Sequence, residues 1–297
     1  MVVLSVHSSV HGLRLLTENV CSFDTMPSLS EALRSFSAVV ITGGSSGIGK
    51  TFIKLMHSLH PELRFCNLSR RNPEMKSAEL KLRHISIDLA ERGRIPEVRS
   101  EVISWLSEDA QEGRVLLINN SGFGGYGNFP EPSLEHQLEM MDVNMRAVIE
   151  LTGCLLPTLR ERGGAIMNVA STAAFQPTAY MSVYGATKAF VLHWSLALDQ
   201  ELRGSGVRAL AVCPGPTATE FFKRAGLQEG SVADTLGMMS EQVVEMSLKA
   251  LLKGKSQIVT GWKNKLGVAL VTKLPKPFAA WLAAKILAQF RLKKVSS

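Results

Sequence analysis

Tyr184 and Lys188 are spaced so that they could carry acid–base chemistry. On a helix, residues four apart lie on one face. A lysine ammonium beside a phenol favours the phenolate and lowers its pKa from about 10, so the tyrosine can give and take a proton near neutrality. Ser171 follows the apolar run Ala165–Ala170, where ligands bind at the carboxyl edge of a parallel sheet. Taken singly, the pair could be a chance arrangement and Ser171 an ordinary capping serine.

A glycine-rich loop, Thr42-Gly43-Gly44-Ser45-Ser46-Gly47-Ile48-Gly49, lies between an apolar run and a helical pattern that is predicted to begin at Lys50. Glycines there allow a sharp turn that brings backbone N–H groups close to a pyrophosphate at a helix N-terminus. A tight strand-to-helix turn alone could explain the glycines, but the position between strand and helix favours dinucleotide binding. The loop lacks the Lys-Ser/Thr ending of a P-loop, which disfavours nucleoside triphosphate hydrolysis.

The elements that would position these groups alternate regularly. Apolar runs without polar alternation predict buried parallel strands, and amphipathic stretches between them predict covering helices. We therefore predict a doubly wound α/β domain over residues 37–261, Rossmann-like with about seven strands. The predicted strands are Ala38–Thr42, Phe65–Ser69, His84–Asp88, Val115–Asn119, Ala165–Ala170, Val207–Cys213 and Ile258–Thr260, and the clearest helical stretches are Arg92–Ala110, Ser133–Leu159 and Tyr184–Arg203.

Over residues 38–261 the chain resembles the short-chain dehydrogenase/reductase family, in its ordinary-length branch. The glycine loop matches TGxxxGxG, and Tyr184 with Lys188 matches YxxxK. Further matches in order are Asp88-Leu89, Asn119-Asn120-Ser121-Gly122 (with Ser121 for the usual alanine), Asn144, and Pro214-Gly215-Pro216-Thr217-Ala218-Thr219.

The resemblance implies roles for four catalytic residues. Tyr184 would be the general acid in reduction and the base in oxidation, and Lys188 would tune it and hold the nicotinamide ribose. Ser171 would orient a substrate carbonyl and Asn144 would support a water relay to Lys188. It also implies a dinucleotide site formed by Thr42, Gly43, Ser45, Ser46, Gly47, Ile48, Gly49, Ser69, Arg70, Arg71, Asp88, Leu89, Asn120, Ser121, Gly122, Tyr184, Lys188, Pro214, Gly215, Thr217 and Thr219.

The second predicted strand ends in Ser69-Arg70-Arg71, where an NAD-selective site usually has an acidic residue. A guanidinium can instead hold the 2′-phosphate of NADP(H) bidentately. The alternative is that both arginines are solvated loop charges. We expect NADPH/NADP+ as cofactor, with NADH less favoured.

Substrate-facing candidates follow from their position beside Ser171, Tyr184 and the Asn-Asn-Ser-Gly segment, although each could equally be plain packing. The stretch Glu220–Met239 is typical of a mobile lid. A basic, apolar C-terminal extension similar to that of the long-chain 3-oxoacyl and hydroxysteroid branch of the family implies a lipid-like carbonyl substrate as a mild preference. The candidates are Phe123, Gly124, Tyr126, Phe175, Gln176, Tyr180 and Met181.

The charge of this 297-residue chain is unevenly distributed. Its net charge is +7, yet residues 262–297 contain eight Lys or Arg and no Asp or Glu. This tail interleaves its charges with apolar and aromatic residues in runs too short to cross a bilayer. It could lie on a membrane surface or pack on the body or another subunit. The nearly neutral body disfavours nucleic-acid binding.

The remaining expectations concern cellular setting and assembly. Scattered cysteines without a ligand cluster predict no metal site and no disulfide framework, and favour a cytoplasmic protein. We expect residues 1–36 to form an N-terminal extension, which is disordered in one interpretation. Met26 is an alternative start of the chain. A homodimer or homotetramer built on Ser133–Leu159 and Tyr184–Arg203 is implied by the resemblance. The rival to a carbonyl reductase is a non-catalytic NADP(H)-binding sensor or scaffold.

Overall fold

A parallel sheet of seven strands organises the chain in this computed structural model, which describes residues 28–219, 221, 225 and 237–290. The strand order is β3-β2-β1-β4-β5-β6-β7, and every neighbouring pair is parallel. The strands are β1 (Phe36–Thr42), β2 (Arg64–Ser69), β3 (Leu82–Ser86), β4 (Arg114–Asn119), β5 (Gly164–Val169), β6 (Val207–Cys213) and β7 (Gln257–Val259). The seven predicted strands are thus confirmed, with ends shifted by one or two residues.

Helices cover both faces of the sheet, which confirms the doubly wound α/β prediction. α2 and α7 pack on one face and α3, α5 and α6 on the other, because successive apolar strand residues point to opposite faces. The helices in the described residues are α1 (Leu29–Leu33), α2 (Gly47–Leu59), α3 (Arg94–Asp109), α4 (Leu134–Met141), α5 (Ala147–Arg162), α6 (Ser182–Glu201), α7 (Ser240–Leu252), α8 (Trp262–Val271) and α9 (Lys276–Leu287).

Two helix predictions need correction. The helix after the glycine loop begins at Gly47, three residues before the predicted Lys50, because the glycines themselves form its first turn. The predicted continuous helix Ser133–Leu159 is divided into α4 and α5 by a π-helical turn, Asp142–Arg146. Such turns insert one extra residue and re-aim the side chains that follow.

The folded body begins before residue 37. Ser28 caps α1 with a reciprocal Ser–Glu capping box through Glu31, and Leu33 and Phe36 are buried in the core against α2. Residues 28–36 therefore belong to the domain and are not part of a disordered extension. The alternative start at Met26 lies outside the described residues.

The sheet order places a crevice between β1 and β4, where successive strands diverge to opposite sides. At the carboxyl ends of β1, β2, β4, β5 and β6 the chain enters the segments that carry the predicted site, as expected for open α/β sheets. Gly43 N–H donates to the carbonyl of Leu68 at 3.0 Å, and Thr172 N–H donates to the carbonyl of Pro214 at 2.8 Å. These bonds hold the loop after β1 against the end of β2, and the segment after β5 against the segment after β6.

The tail forms two helices, α8 and α9, whose outer surfaces are exposed. α8 has no buried residue, and α9 buries only Ala279. The part of the chain that the structure describes contains no helix long and apolar enough to span a membrane.

Candidate active site

The predicted catalytic residues Ser171, Tyr184 and Lys188 meet on one wall of a cavity of about 820 Å³. α6 presents Tyr184 and Lys188 one turn apart, as predicted, and Ser171 leaves the end of β5 as the cap of a short 3₁₀ turn. The Ser171 side chain lies close enough to the Tyr184 phenol to lower its pKa. A hydroxyl, a phenol and an amine that converge on open space can bind a carbonyl oxygen and supply its proton.

The expected lowering of the Tyr184 pKa does not occur in the chain by itself. Burial raises the pKa of Tyr184 to about 12, and only the hydrogen bond from Ser171 opposes it. Burial also lowers the pKa of Lys188 to about 8, so its ammonium is weakened as a source of positive charge. Lys188 Nζ lies 5.9 Å from the centre of the Tyr184 ring and donates to the Val169 carbonyl at 2.8 Å. Tyr184 is therefore a neutral phenol at physiological pH.

Asn144 lies behind the cavity wall and not on it. The π-helical turn places its Nδ2 3.0 Å from both the Phe123 carbonyl and Thr187 Oγ1, and its Oδ1 accepts from Phe123 N–H at 3.1 Å. A Cβ built on Gly122 would lie 3.0 Å from Asn144 Oδ1 and 3.1 Å from Lys188 Nζ. Asn144 thus joins the loop after β4 to α6 beside the Lys188 amine, in a position suited to a relay.

The glycine loop has the shape needed to hold a diphosphate. Gly43 and Gly47 have φ angles of +70° and +53°, and a Cβ on Gly49 would collide with the Gly43 carbonyl oxygen. Ser46 precedes α2 without capping it through its side chain, so no serine hydroxyl occupies the helix N-terminus. Ser46, Gly47 and Ile48, at the N-terminus of α2, line the cavity, so the positive end of the helix dipole borders it, which suits an anionic dinucleotide.

Thr42 and Gly49 support this loop from behind the cavity wall. Thr42 Oγ1 accepts from the backbone N–H groups of Asn120 and Ser121 at 3.0 and 2.9 Å. Asn120 Nδ2 in turn donates to the Thr42 and Gly43 carbonyls at 3.0 and 3.3 Å. The loops after β1 and β4 are therefore one hydrogen-bonded unit, and Thr42 and Gly49 shape the site without lining its cavity. The other predicted dinucleotide residues all line it.

The Arg70 guanidinium lies between two carboxylates at the far end of the cavity from Tyr184. It is 3.4 Å from Asp88 and 3.8 Å from Glu139, and its side chain is 66% exposed. The exposure makes these ion pairs weak, so a phosphate could replace them at small cost. Asp88 also accepts from the Ala90 N–H at 2.9 Å, which fixes its carboxylate at the cavity edge. Glu139 was not predicted, because only the packing of α4 brings it here.

Asn67 is a positioning residue that the sequence analysis missed. Its side chain is fully buried at the end of β2, where Oδ1 accepts from Gly44 N–H at 2.7 Å and Nδ2 donates to Ser69 Oγ at 2.8 Å. It thereby ties the glycine loop to the segment that presents Arg70. A polar residue inside an otherwise apolar strand was the available signal, since a buried amide must find partners.

The substrate end of the cavity is apolar. Among the candidates, Phe123, Gln176 and Met181 line it, whereas Gly124, Tyr126, Phe175 and Tyr180 do not. Most of the predicted lid Glu220–Met239 lies outside the described residues, but Phe221 lines the cavity with its ring 5.3 Å from that of Tyr184. Lining residues that were not predicted are Ile87, Glu139, Val143, Val169, Ala170, Thr172, Ala173, Thr178, Pro216, Ala283, Ile286 and Leu287.

The C-terminal helix α9 supplies part of this apolar wall through Ala283, Ile286 and Leu287. The Tyr126 hydroxyl donates to the Leu287 carbonyl at 2.5 Å, and Lys276 Nζ donates to the Phe175 carbonyl at 3.2 Å. At the start of α8, Asn264 packs against Gly215 so closely that a Cβ there would collide with it. The tail therefore both lines the cavity and packs against one of its lining loops.

Sequence comparisons agree with this architecture. The short chain dehydrogenase family model matches residues 37–230. Serine 3-dehydrogenase of Rhizobium radiobacter is 32% identical over 65% of this chain and 78% of its own length. The NADP-dependent 3-hydroxy acid dehydrogenase YdfG of Escherichia coli is 32% identical over 70% of this chain and 86% of its own.

A solved structure of a short-chain dehydrogenase from Sphingobium yanoikuyae in complex with NADPH superposes with a TM-score of 0.66. It is 26% identical and covers 88% of this chain and 98% of its own. Together with the seven-stranded parallel sheet, the glycine loop after β1, Ser171 after β5 and the Tyr–Lys pair on α6, these matches assign the chain to the short-chain dehydrogenase/reductase family of oxidoreductases.

Proposed function

We propose that this protein is an NADP(H)-dependent oxidoreductase that interconverts a carbonyl and an alcohol, with reduction as the direction in the cell. The observation that carries the proposal is the single cavity that joins Ser171, Tyr184 and Lys188 to the glycine loop and Arg70. When bound, the nicotinamide supplies or accepts the hydride. All other steps fall to side chains of this chain.

In the proposed reduction, Ser171 and Tyr184 bind the substrate carbonyl oxygen with their hydroxyls. The neutral Tyr184 gives its proton to that oxygen as negative charge develops there, and Ser171 stabilises the charge through its own hydrogen bond. Lys188, near its own pKa of about 8, replaces the proton and holds the ribose. Asn144 positions Lys188 and the loop after β4 for this relay.

Selectivity for NADP(H) is proposed on the charge at the end of β2. Arg70 and Arg71 both line the cavity, and no acidic residue occupies the end of that strand. A 2′-phosphate would displace the weak pairs that Arg70 makes with Asp88 and Glu139 and gain charge-assisted hydrogen bonds. The NADP-dependent relative and the NADPH-bound structural neighbour support the same choice.

The proposed substrate is an apolar, lipid-like ketone, with 3-oxoacyl and steroid-like compounds as the leading candidates. Phe123, Met181, Phe221 and the α9 side chains surround the space beyond Tyr184. Apart from Lys188, the described wall at this end carries no Lys or Arg that could pair with a carboxylate. Serine and 3-hydroxy acids, which the names of two relatives mention, are therefore less suited to it.

Self-association is part of the proposal. Among the described residues outside the tail, five of the seven exposed large apolar side chains lie on α4, α5 and α6, the helices expected to form a homodimer or homotetramer interface. These are Leu134, Leu138, Met141, Ile149 and Phe190.

The test measures NADPH oxidation by purified protein with 3-oxoacyl thioesters of increasing chain length, ketosteroids, small aldehydes, and serine and 3-hydroxy acids in the reverse direction. We expect turnover that rises with chain length. Tyr184→Phe should lower kcat by at least about 100-fold, in the range of lost general acid catalysis, while NADPH still binds. A Tyr184→Phe variant as active as the wild type would refute the mechanism. Tight NADPH binding with no turnover on any compound would favour the sensor or scaffold instead.

A further inference from the structure

The outer face of the tail presents large apolar side chains to water. On α8, Trp262, Leu266 and Leu270 follow at intervals of four and are 72%, 54% and 59% exposed. On α9, Phe278 and Trp281 are 48% and 54% exposed, with their rings stacked 5.5 Å apart. Each helix therefore carries its own exposed apolar patch, and such patches mark surfaces that bind a partner.

The two faces of α9 have different surroundings. Ala283, Ile286 and Leu287 line the cavity, and Ala279 is buried on the same side. Phe278, Trp281 and Lys285 lie about half a turn away, since a helix advances about 100° per residue. The exposed aromatic side chains of α9 therefore form a surface of their own, on the side of the helix opposite the cavity.

The charges on this surface are all positive. Lys263, Lys265, Lys273 and Lys285 are exposed on α8, α9 and the turn between them, and the tail contains no acidic residue. Lys263 lies 5.8 Å from the Trp262 ring centre and Lys285 lies 5.7 Å from that of Trp281. Ammonium groups beside tryptophan rings suit the headgroup level of an anionic bilayer, where rings enter the interface and amines meet phosphates.

We propose that the α8–α9 face docks on the surface of an anionic lipid bilayer. A second copy of this chain is a poorer occupant, because two such faces would bring eight lysines together with no acidic side chain between them. Docking is peripheral, since neither described helix is long enough to span a bilayer. Because the opposite side of α9 forms the cavity wall, the docked protein holds that wall next to the lipid.

The test is flotation of the full chain with vesicles of phosphatidylcholine alone or with about 30% phosphatidylglycerol, read also by tryptophan emission. We expect binding to the anionic vesicles with a blue-shifted emission, and weaker binding at high salt. Replacing Lys263, Lys265 and Lys285 by Gln should reduce affinity about 100-fold, as expected for three surface-bound lysines. The matched control replaces Lys54, Lys76 and Lys253, which are exposed elsewhere, and should bind as the wild type does.

A second pair of variants tests the apolar contribution. The double variant Trp262→Glu/Trp281→Glu should abolish flotation and retain NADPH binding, whereas Phe129→Glu, at a 68% exposed side chain outside the tail, should float normally. Absence of binding to anionic vesicles, or equal losses in the control variants, would overturn the proposal. So would a change of oligomeric state in Trp262→Glu/Trp281→Glu without vesicle binding, which would assign the face to a second copy. Vesicle binding needs no turnover, so this proposal and the proposed function fail separately.

Discussion

The Tyr126 hydroxyl donates a hydrogen bond of 2.5 Å to the backbone carbonyl of Leu287, in the last turn of α9. The two residues are 161 positions apart in the chain. The bond fastens the C-terminal helix to the loop that follows β4, next to the wall that Leu287 itself contributes. The shape of the substrate end therefore depends on a contact between the body and the tail.

We expect Tyr126→Phe to loosen α9 without disturbing the catalytic group. Losing one hydrogen bond costs about 1 kcal/mol, which opens the last turn of α9 more often. KM for apolar ketones should rise several-fold, with faster amide exchange at the end of α9 and little change in kcat. Tyr180→Phe is the control, since the Tyr180 ring lies 5.9 Å from that of Tyr126. Equal amide exchange at the end of α9 in Tyr126→Phe and Tyr180→Phe would show that the Tyr126 hydroxyl does not hold this helix in place.

Arg70→Ser should shift cofactor preference. Loss of charge-assisted hydrogen bonds to a 2′-phosphate, worth about 1.5–3 kcal/mol, raises the KM for NADPH by roughly 10- to 100-fold. The KM for NADH serves as the internal control and should stay nearly unchanged, because the 2′-hydroxyl makes no such bond. An equal rise in the KM values for NADPH and NADH would mean that Arg70 only supports the fold through its ion pair with Asp88.

Gly49→Ala and Gly153→Ala form a matched pair of glycine substitutions in helices. A methyl at Gly49 collides with the Gly43 carbonyl, so we expect lower stability and lost NADPH binding. Nothing lies within 4 Å of a Cβ at Gly153 inside α5, so alanine there should stabilise the protein by about 0.5–1 kcal/mol. Urea denaturation and cofactor titration measure both. Normal NADPH binding by Gly49→Ala would show that the loop tolerates a wider turn.

Lys188→Met should abolish activity and yet stabilise the cofactor-free protein below pH 8. Burial lowers the Lys188 pKa from 10.5 to about 8, so below pH 8 the native state carries a buried ammonium at full cost. This cost declines between pH 8 and 10.5, where the unfolded chain binds more protons, and vanishes above that range. The free-energy advantage of the variant, on the order of 3 kcal/mol at most, should follow the same course.

Urea denaturation from pH 7 to pH 10.5 gives the difference between wild type and variant. Lys54→Met, which removes an exposed ammonium from α2, should show no such pH dependence. A constant difference across this range would mean that the Lys188 ammonium is as well solvated in the native state as in the unfolded chain.

Leu138→Glu should disrupt self-association. Leu138 is 51% exposed on α4 among the other apolar side chains of that surface, and a buried carboxylate at an interface is costly. Light scattering should show a smaller particle for Leu138→Glu than for the wild type or for Phe129→Glu. Identical particle masses for Leu138→Glu and the wild type would show that α4 is not part of the interface.

The sequence by itself determined those features that depend on neighbours in the chain. Alternating apolar runs predicted the seven strands, and the glycine spacing predicted the loop after β1. Tyr184 and Lys188 share a face of α6 because helical periodicity requires it. The motif order that resembles the family was also sufficient to place Ser171, Tyr184 and Lys188 on one cavity.

Only the tertiary structure decided how distant segments share that cavity. The π-helical turn that aims Asn144, the bridge that Asn67 makes from β2 to Gly44, and the approach of Glu139 to Arg70 depend on packing between elements. From the neighbouring Lys188 the sequence predicted a lowered Tyr184 pKa, whereas burial of Tyr184 itself raises it. The tail showed its composition in the sequence, but α9 became a cavity wall only through the long-range contact with Tyr126, because no local pattern encodes which surface a helix will meet.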